Sequence, residues 1–182
     1  LEVLMLRRAE RDGDMRSGAV VFPGGVLDAR DRDAHVLCIG PDDARVSAWL
    51  GLAEGGLDYL VAAVRESFEE VGLLLAQGSE GGFDLEALKP WRDRLQTGEA
   101  SMVDLCHAEG LRLDLRELVY FSHWLTPPGV PRRFDTRFFM APAPAGQVAE
   151  ADLGEAVELM WLTPQDALEP QRGLKLLPVT QR

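Results

Sequence analysis

Cysteine is scarce in this chain: Cys38 and Cys106 are the two in 182 residues. Two thiols so far apart make no disulfide framework, and no C-x-x-C pattern marks a zinc site. A reducing compartment, the cytoplasm, is the natural expectation. Long apolar runs are missing as well. None approaches the ~20 residues of a membrane span, and the opening LEVLMLRRAERDGD lacks the basic-then-apolar order of a signal peptide. Leu1 stands where an initiator methionine would, so a trimmed start is expected, and trimming can remove a targeting segment. Basic residues are in the minority, 19 against 30 acidic, for a formal net charge of −11. Nucleic acid polymers and anionic membranes, which need a basic face, are therefore poor partners. A small anionic ligand is not excluded, because bound divalent cations reverse the local field. The three histidines, His35, His107 and His123, are scattered without ligand spacing. Ser67 and Ser122 have no neighbouring His–Asp arrangement, so a serine hydrolase is not supported.

What is present reads as globular: 46% apolar and 7% aromatic residues, in a length that suits one domain. Strands are expected over 1–8, 18–22, 117–125, 134–141 and 155–162 from apolar, β-branched or aromatic runs between turn residues. Helices are expected from about Pro41, over 57–73, 84–96 and 100–109, and from Thr163 through Leu168. Asp58 is the expected cap of the second helix and Gly72 its stop. No repeat and no linker divides the chain, so residues 1–182 read as one α+β domain. Trp124 and Trp161 are expected in the core.

The helix over 57–73 is the most informative segment. At ~100° per residue, Leu57, Leu60, Val61, Val64, Phe68 and Val71 share one face. Glu66, Glu69 and Glu70 centre on the opposite side, within one turn, where their oxygens are expected to converge. A solvated acidic face is the bland reading of such a cluster. Carboxylates near a helix C-terminus oppose the dipole, however, and call for a compensating cation or for Arg65. A hard cation such as Mg2+ or Mn2+ suits oxygen donors of this kind.

The run R65-E66-S67-F68-E69-E70-V71-G72-L73 resembles the core of the Nudix box, G-x5-E-x7-R-E-U-x-E-E-x-G-U, in which U is bulky and aliphatic. Pro23-Gly24-Gly25, after the apolar strand, resembles its opening. The chain departs from the box twice. Gly25 and Arg65 are 40 positions apart, 26 more than in the plain box. Counted back from Arg65, the first Glu of the box falls on Leu57, with Glu54 and Asp58 as the nearest acids, and Ser67 replaces the first U. FPGGVLDARDRDA, then a helical insertion over 31–56, then RESFEEVGLLLA, is similar to a branch of the Nudix hydrolases that includes a peroxisomal coenzyme A diphosphatase. Trp124–Pro127, Arg133–Phe139, Glu155–Pro164 and Leu177–Thr180 agree with that branch.

The resemblance implies an α/β/α sandwich with a mixed central sheet and helical insertions at 31–56 and 84–110. It implies metal-dependent hydrolysis of a small-molecule diphosphate, with CoA or acyl-CoA as the favoured substrate. ADP-ribose, dinucleotides and nucleotide sugars are same-fold alternatives, and a non-catalytic nucleotide-metabolite-binding module is the rival of a different class. Glu66, Glu69, Glu70 and the Gly24 carbonyl are the implied metal ligands, and Arg65 would orient the glutamates. Glu66, Glu155 and Glu158 are candidate bases. Arg133 and Arg137, flanking Asp135, are candidate phosphate ligands, and Arg16 is a further candidate. Pairing of these arginines with Asp135 or Glu158 is the plain alternative. The insertions suit a lid, an acyl pocket or a homodimer surface.

Overall fold

The computed structural model describes the chain apart from residues 11, 14–16, 79–81, 130–132, 153, 155 and 182. Two predicted site residues, Arg16 and Glu155, and the neighbouring Arg132 lie outside the described residues. Strands β1 (Val3–Arg8), β2 (Val20–Val21) and β8 (Ala156–Leu162) form an antiparallel sheet with β1 in the middle. A second sheet is mixed. Its central strand β5 (Leu111–Asp114) pairs parallel with β3 (Cys38–Ile39) and antiparallel with β4 (Ala76–Gly78). The third is a ribbon of β6 (Val119–Leu125) and β7 (Asp135–Met140). Strands β3, β4 and β5 are two to four residues long, too short for a period to show in the sequence.

Helices α1 (Asp43–Leu50), α2 (Gly56–Val71), α3 (Leu85–Gln96) and α4 (Met102–Glu109) share the largest apolar core with the mixed sheet, and α5 (Pro164–Leu168) follows β8. The α2 stripe behaves as its period requires. Leu57, Leu60, Val61, Val64 and Phe68 enter the main core, and Val71 packs with Leu6, Leu73 and Ala156 under the β2–β1–β8 sheet. Full burial of each such side chain stabilises by about 1.5–3 kcal/mol.

The segments read as insertions are part of this core. A 3-10 segment, Ala29–Leu37, and α1 lie along α2, with Ala34, Val46 and Leu50 buried. From the second segment, Leu88, Trp91, Leu95, Met102 and Leu105 are buried in the same core. Two local expectations are corrected. Asp58 does not cap α2: Asp43 of α1 accepts from the Gly55 and Leu57 N–H groups, while Asp58 pairs with Arg32 and lies 2.7 Å from His35 Nε2. Trp161 is 45% exposed, because its β8 position faces away from the core, and Trp124 of β6 is half-buried and joins none of the apolar clusters.

Candidate functional site

The site begins where β2 runs into Pro23-Gly24-Gly25. The turn lies across the last two turns of α2. Gly24 N–H donates to Glu70 Oε2 at 2.8 Å. Gly25 sits so near Glu66 that a Cβ there would be 2.4 Å from its carboxyl group. Only a residue without a side chain admits the carboxylate in its present place. The acidic flank of α2 is therefore covered rather than solvated, and Glu69 and Glu70 are 8% and 7% exposed.

Arg65 is the hub. Its Nε donates to Asp31 Oδ1 at 2.8 Å and its Nη2 to Asp31 Oδ2 at 3.1 Å, a bidentate pair. Nη1 reaches Glu66 Oε1 at 2.7 Å and Glu69 Oε1 at 3.4 Å, and Nη2 also donates to the Val26 carbonyl at 2.7 Å. Burial alone would lower the Arg65 pKa, but the Asp31 hydrogen bonds and charge raise it, so the guanidinium stays charged. Burial pushes the Glu69 carboxyl up, against the opposing pull of Arg65.

Asp31 is not among the residues that the spacing along α2 picks out. It is 1% exposed and stands six positions after Gly25, where G-x5-E places the first acid of the box. Counting forward from Gly25 finds it; counting back from Arg65 crosses the insertion and lands on Leu57. The extra residues thus fall between Asp31 and Arg65, and the fold closes the gap. Arg92 and Gln96 of α3 were also missed. Both donate to the Glu69 main-chain oxygen, at 3.1 and 2.8 Å.

The phosphate-binding candidates are dispersed. Arg137 stacks over the Tyr59 ring at 4.5 Å and pairs with Asp135 at 2.7 Å, its side chain 4% exposed. Tyr59 is on the same flank of α2 as Glu66 and Glu70, about two turns before Glu66. Arg133 is exposed and donates to the Thr126 carbonyl. Glu158 pairs with Arg7 of β1. His123 lies 2.7 Å from Asp135 Oδ1. A cavity of about 220 Å³ opens behind Arg65 and Glu69, toward the α3–α4 loop and Arg30.

The donor set fits a hard divalent ion: three carboxylates on one helix flank, with a glycine cradle shaped around one of them. The expected convergence of the Glu66, Glu69 and Glu70 oxygens is corrected: among the described residues no three acidic side chains stand at metal-ligand spacing, and Glu66 and Glu69 accept from Arg65 while Glu70 accepts from the Gly24 N–H.

A strand, a glycine turn and an acid-bearing helix, held within these sheets, are the parts of a Nudix hydrolase. The fold is similar to the crystal structure of a NUDIX hydrolase from Alicyclobacillus acidocaldarius, with a TM-score of 0.79 and 29% identity over 99% of this chain and 80% of that one. The chain belongs to the NUDT19 Nudix domain family, whose model matches residues 52–176. It is 33% identical to the acyl-coenzyme A diphosphatase NUDT19 of Homo sapiens, over 92% of this chain and 54% of the relative. It is 29% identical to that of Xenopus laevis, over 96% and 56%. The chain thus spans about half the length of the curated relatives it matches. Among the described residues, no helix is long and apolar enough to cross a membrane.

Proposed function

We propose that this chain, as a single domain, hydrolyses the diphosphate linkage of a nucleoside-diphosphate derivative, and that CoA or an acyl-CoA is its substrate. The observation that carries the reading is the Gly24–Gly25 turn folded onto Glu66 and Glu70, with Glu69 beside them on Arg65. The name acyl-coenzyme A diphosphatase, carried by the human, Xenopus and Gallus relatives, supports the substrate class.

In this reading Glu66, Glu69, Glu70 and the Gly24 carbonyl would hold Mg2+ or Mn2+. The ion would neutralise the diphosphate and lower the pKa of a bound water. Arg65, fixed by Asp31, keeps Glu66 and Glu69 on one side of the helix and offsets their mutual repulsion. Glu66 is the candidate base. Arg137 and Arg133 would meet the phosphates, with Arg16 as a further contact. Arg137 lies over the Tyr59 ring, about two turns before Glu66 on the same flank of α2, which supports its choice over Arg133. The net charge of −11 suits a small ligand carried in with a cation, and no nucleic acid polymer or membrane is expected as a partner. Burial raises the thiols of Cys38 and Cys106 to about 11 and about 12, so neither is poised to react.

The test is a panel of CoA, acyl-CoA, ADP-ribose, dinucleotides and nucleotide sugars with Mg2+ or Mn2+, run on wild type and Glu69→Gln. Release of 3′,5′-ADP from CoA is expected, and Glu69→Gln should reduce it about 100-fold. No turnover of any compound by wild type would remove the enzyme reading. Faster cleavage of ADP-ribose than of CoA would remove the substrate.

A further inference from the structure

The last turn of α2 carries Glu69 and Glu70, and its backbone is held from outside. Gly72 ends the helix with φ 72°, so position 73, which would donate to the Glu69 carbonyl in a continuing helix, lies beyond the turn. Helix ends leave such carbonyls without helical partners. Two side chains of α3 supply donors instead, Arg92 Nη2 at 3.1 Å and Gln96 Nε2 at 2.8 Å. Each reaches further. Arg92 Nη2 donates to the Glu150 carbonyl at 3.0 Å, and Gln96 Nε2 lies 3.2 Å from Asp152 Oδ2. The segment over 147–152 is itself bound to the exit of α2. Gln147 exchanges two hydrogen bonds with the Leu74 backbone, and Glu150 N–H donates to the Val71 carbonyl at 2.9 Å.

We propose that Arg92 and Gln96 are positioning residues for Glu69, setting the direction of its side chain through its main-chain oxygen. The proposal rests on the metal-binding role of Glu69 given above. Rotation of one terminal helical turn moves a side-chain carboxylate by ångströms, while the apolar core beneath, centred on Val64 and Phe68, is left in place. The guanidinium also puts positive charge at the negative end of the helix dipole, next to two buried carboxylates. Helix α3 thus acts as a buttress for the carboxylate-bearing turn.

Mn2+ binding, followed by electron paramagnetic resonance of the free ion, separates this role from simple stabilisation. Gln96→Leu, which keeps the shape and removes the donor, is expected to weaken Mn2+ binding about tenfold with an unchanged circular dichroism spectrum. Turnover of the panel substrate should fall in kcat with KM nearly constant. Arg92→Lys, which retains a donor, should lie between wild type and Arg92→Met. Should Arg92→Met fail to fold, Gln96→Leu and Arg92→Lys still decide. Wild-type Mn2+ affinity in both of these, alongside weakened binding in Glu69→Gln, overturns the proposal and leaves the functional reading standing. Unchanged binding in Glu69→Gln overturns both.

Discussion

At the N-terminal end of α2, Asp43 accepts from two free N–H groups, and Gly56 lies so close to α1 that a Cβ would stand 2.3 Å from the Ser47 nitrogen. At the C-terminal end, Arg65 gathers Asp31, Glu66 and Glu69, and Arg92 reaches the Glu69 carbonyl from α3. The first end is held by shape, with its cap and packing supplied by a neighbouring helix. The second buries carboxylates where the helix dipole is negative and restores balance with guanidinium groups. One helix therefore joins a conventional packing end to an end whose charges are costly unless each keeps its partner.

Removing Asp31 should be the most damaging change. Asp31→Ala leaves Arg65 buried without its bidentate partner, and the expected loss is about 3–5 kcal/mol in urea unfolding. A loss below about 1 kcal/mol would mean that this end behaves as a solvated surface pair, and the contrast would collapse. Gly56→Ala tests the other end. The clash is with Ser47 backbone, which cannot rotate away, so a loss of about 2 kcal/mol is expected despite the better helix propensity of alanine. Stabilisation instead would show that α1 yields, and that shape does not hold this end.

The smallest effect concerns Asp28, which caps the 3-10 segment carrying Asp31. Its carboxyl is held at about 2 rather than 3.8, first by the Arg30 side-chain hydrogen bond and then by the Arg30 N–H. A depressed carboxyl stabilises fully above pH 3.8 and loses that contribution as pH falls toward 2. With a third of the side chain exposed, the contribution is on the order of 1 kcal/mol. Asp28→Asn should lower the melting temperature at neutral pH and flatten the acid limb between these two values. An unchanged limb would place the acid sensitivity elsewhere.

Most elements that position the site could be read in advance. The α2 stripe has the 3.6 period, Gly72 stops the helix, and β6, β7 and β8 are long enough to show apolar runs. The short strands β3 to β5 could not be read, since two to four residues carry no period and take their register from neighbours. Trp161 was misplaced because aromatic size does not say which sheet face is covered.

Within the site, residue type and spacing along α2 by themselves determined that Arg65, Glu66, Glu69 and Glu70 lie within about a turn and a half of helix. Local geometry suffices for that, because a helix converts sequence distance directly into angle. Tertiary structure decided what lies on top of them. It placed Asp31, 34 positions away in sequence, in a bidentate pair with Arg65. It also laid Gly25 against Glu66 and brought Arg92 and Gln96 to the Glu69 carbonyl. Those contacts join separate elements, and their positions depend on how α1, α3 and the sheets share one apolar core. No local period encodes that arrangement.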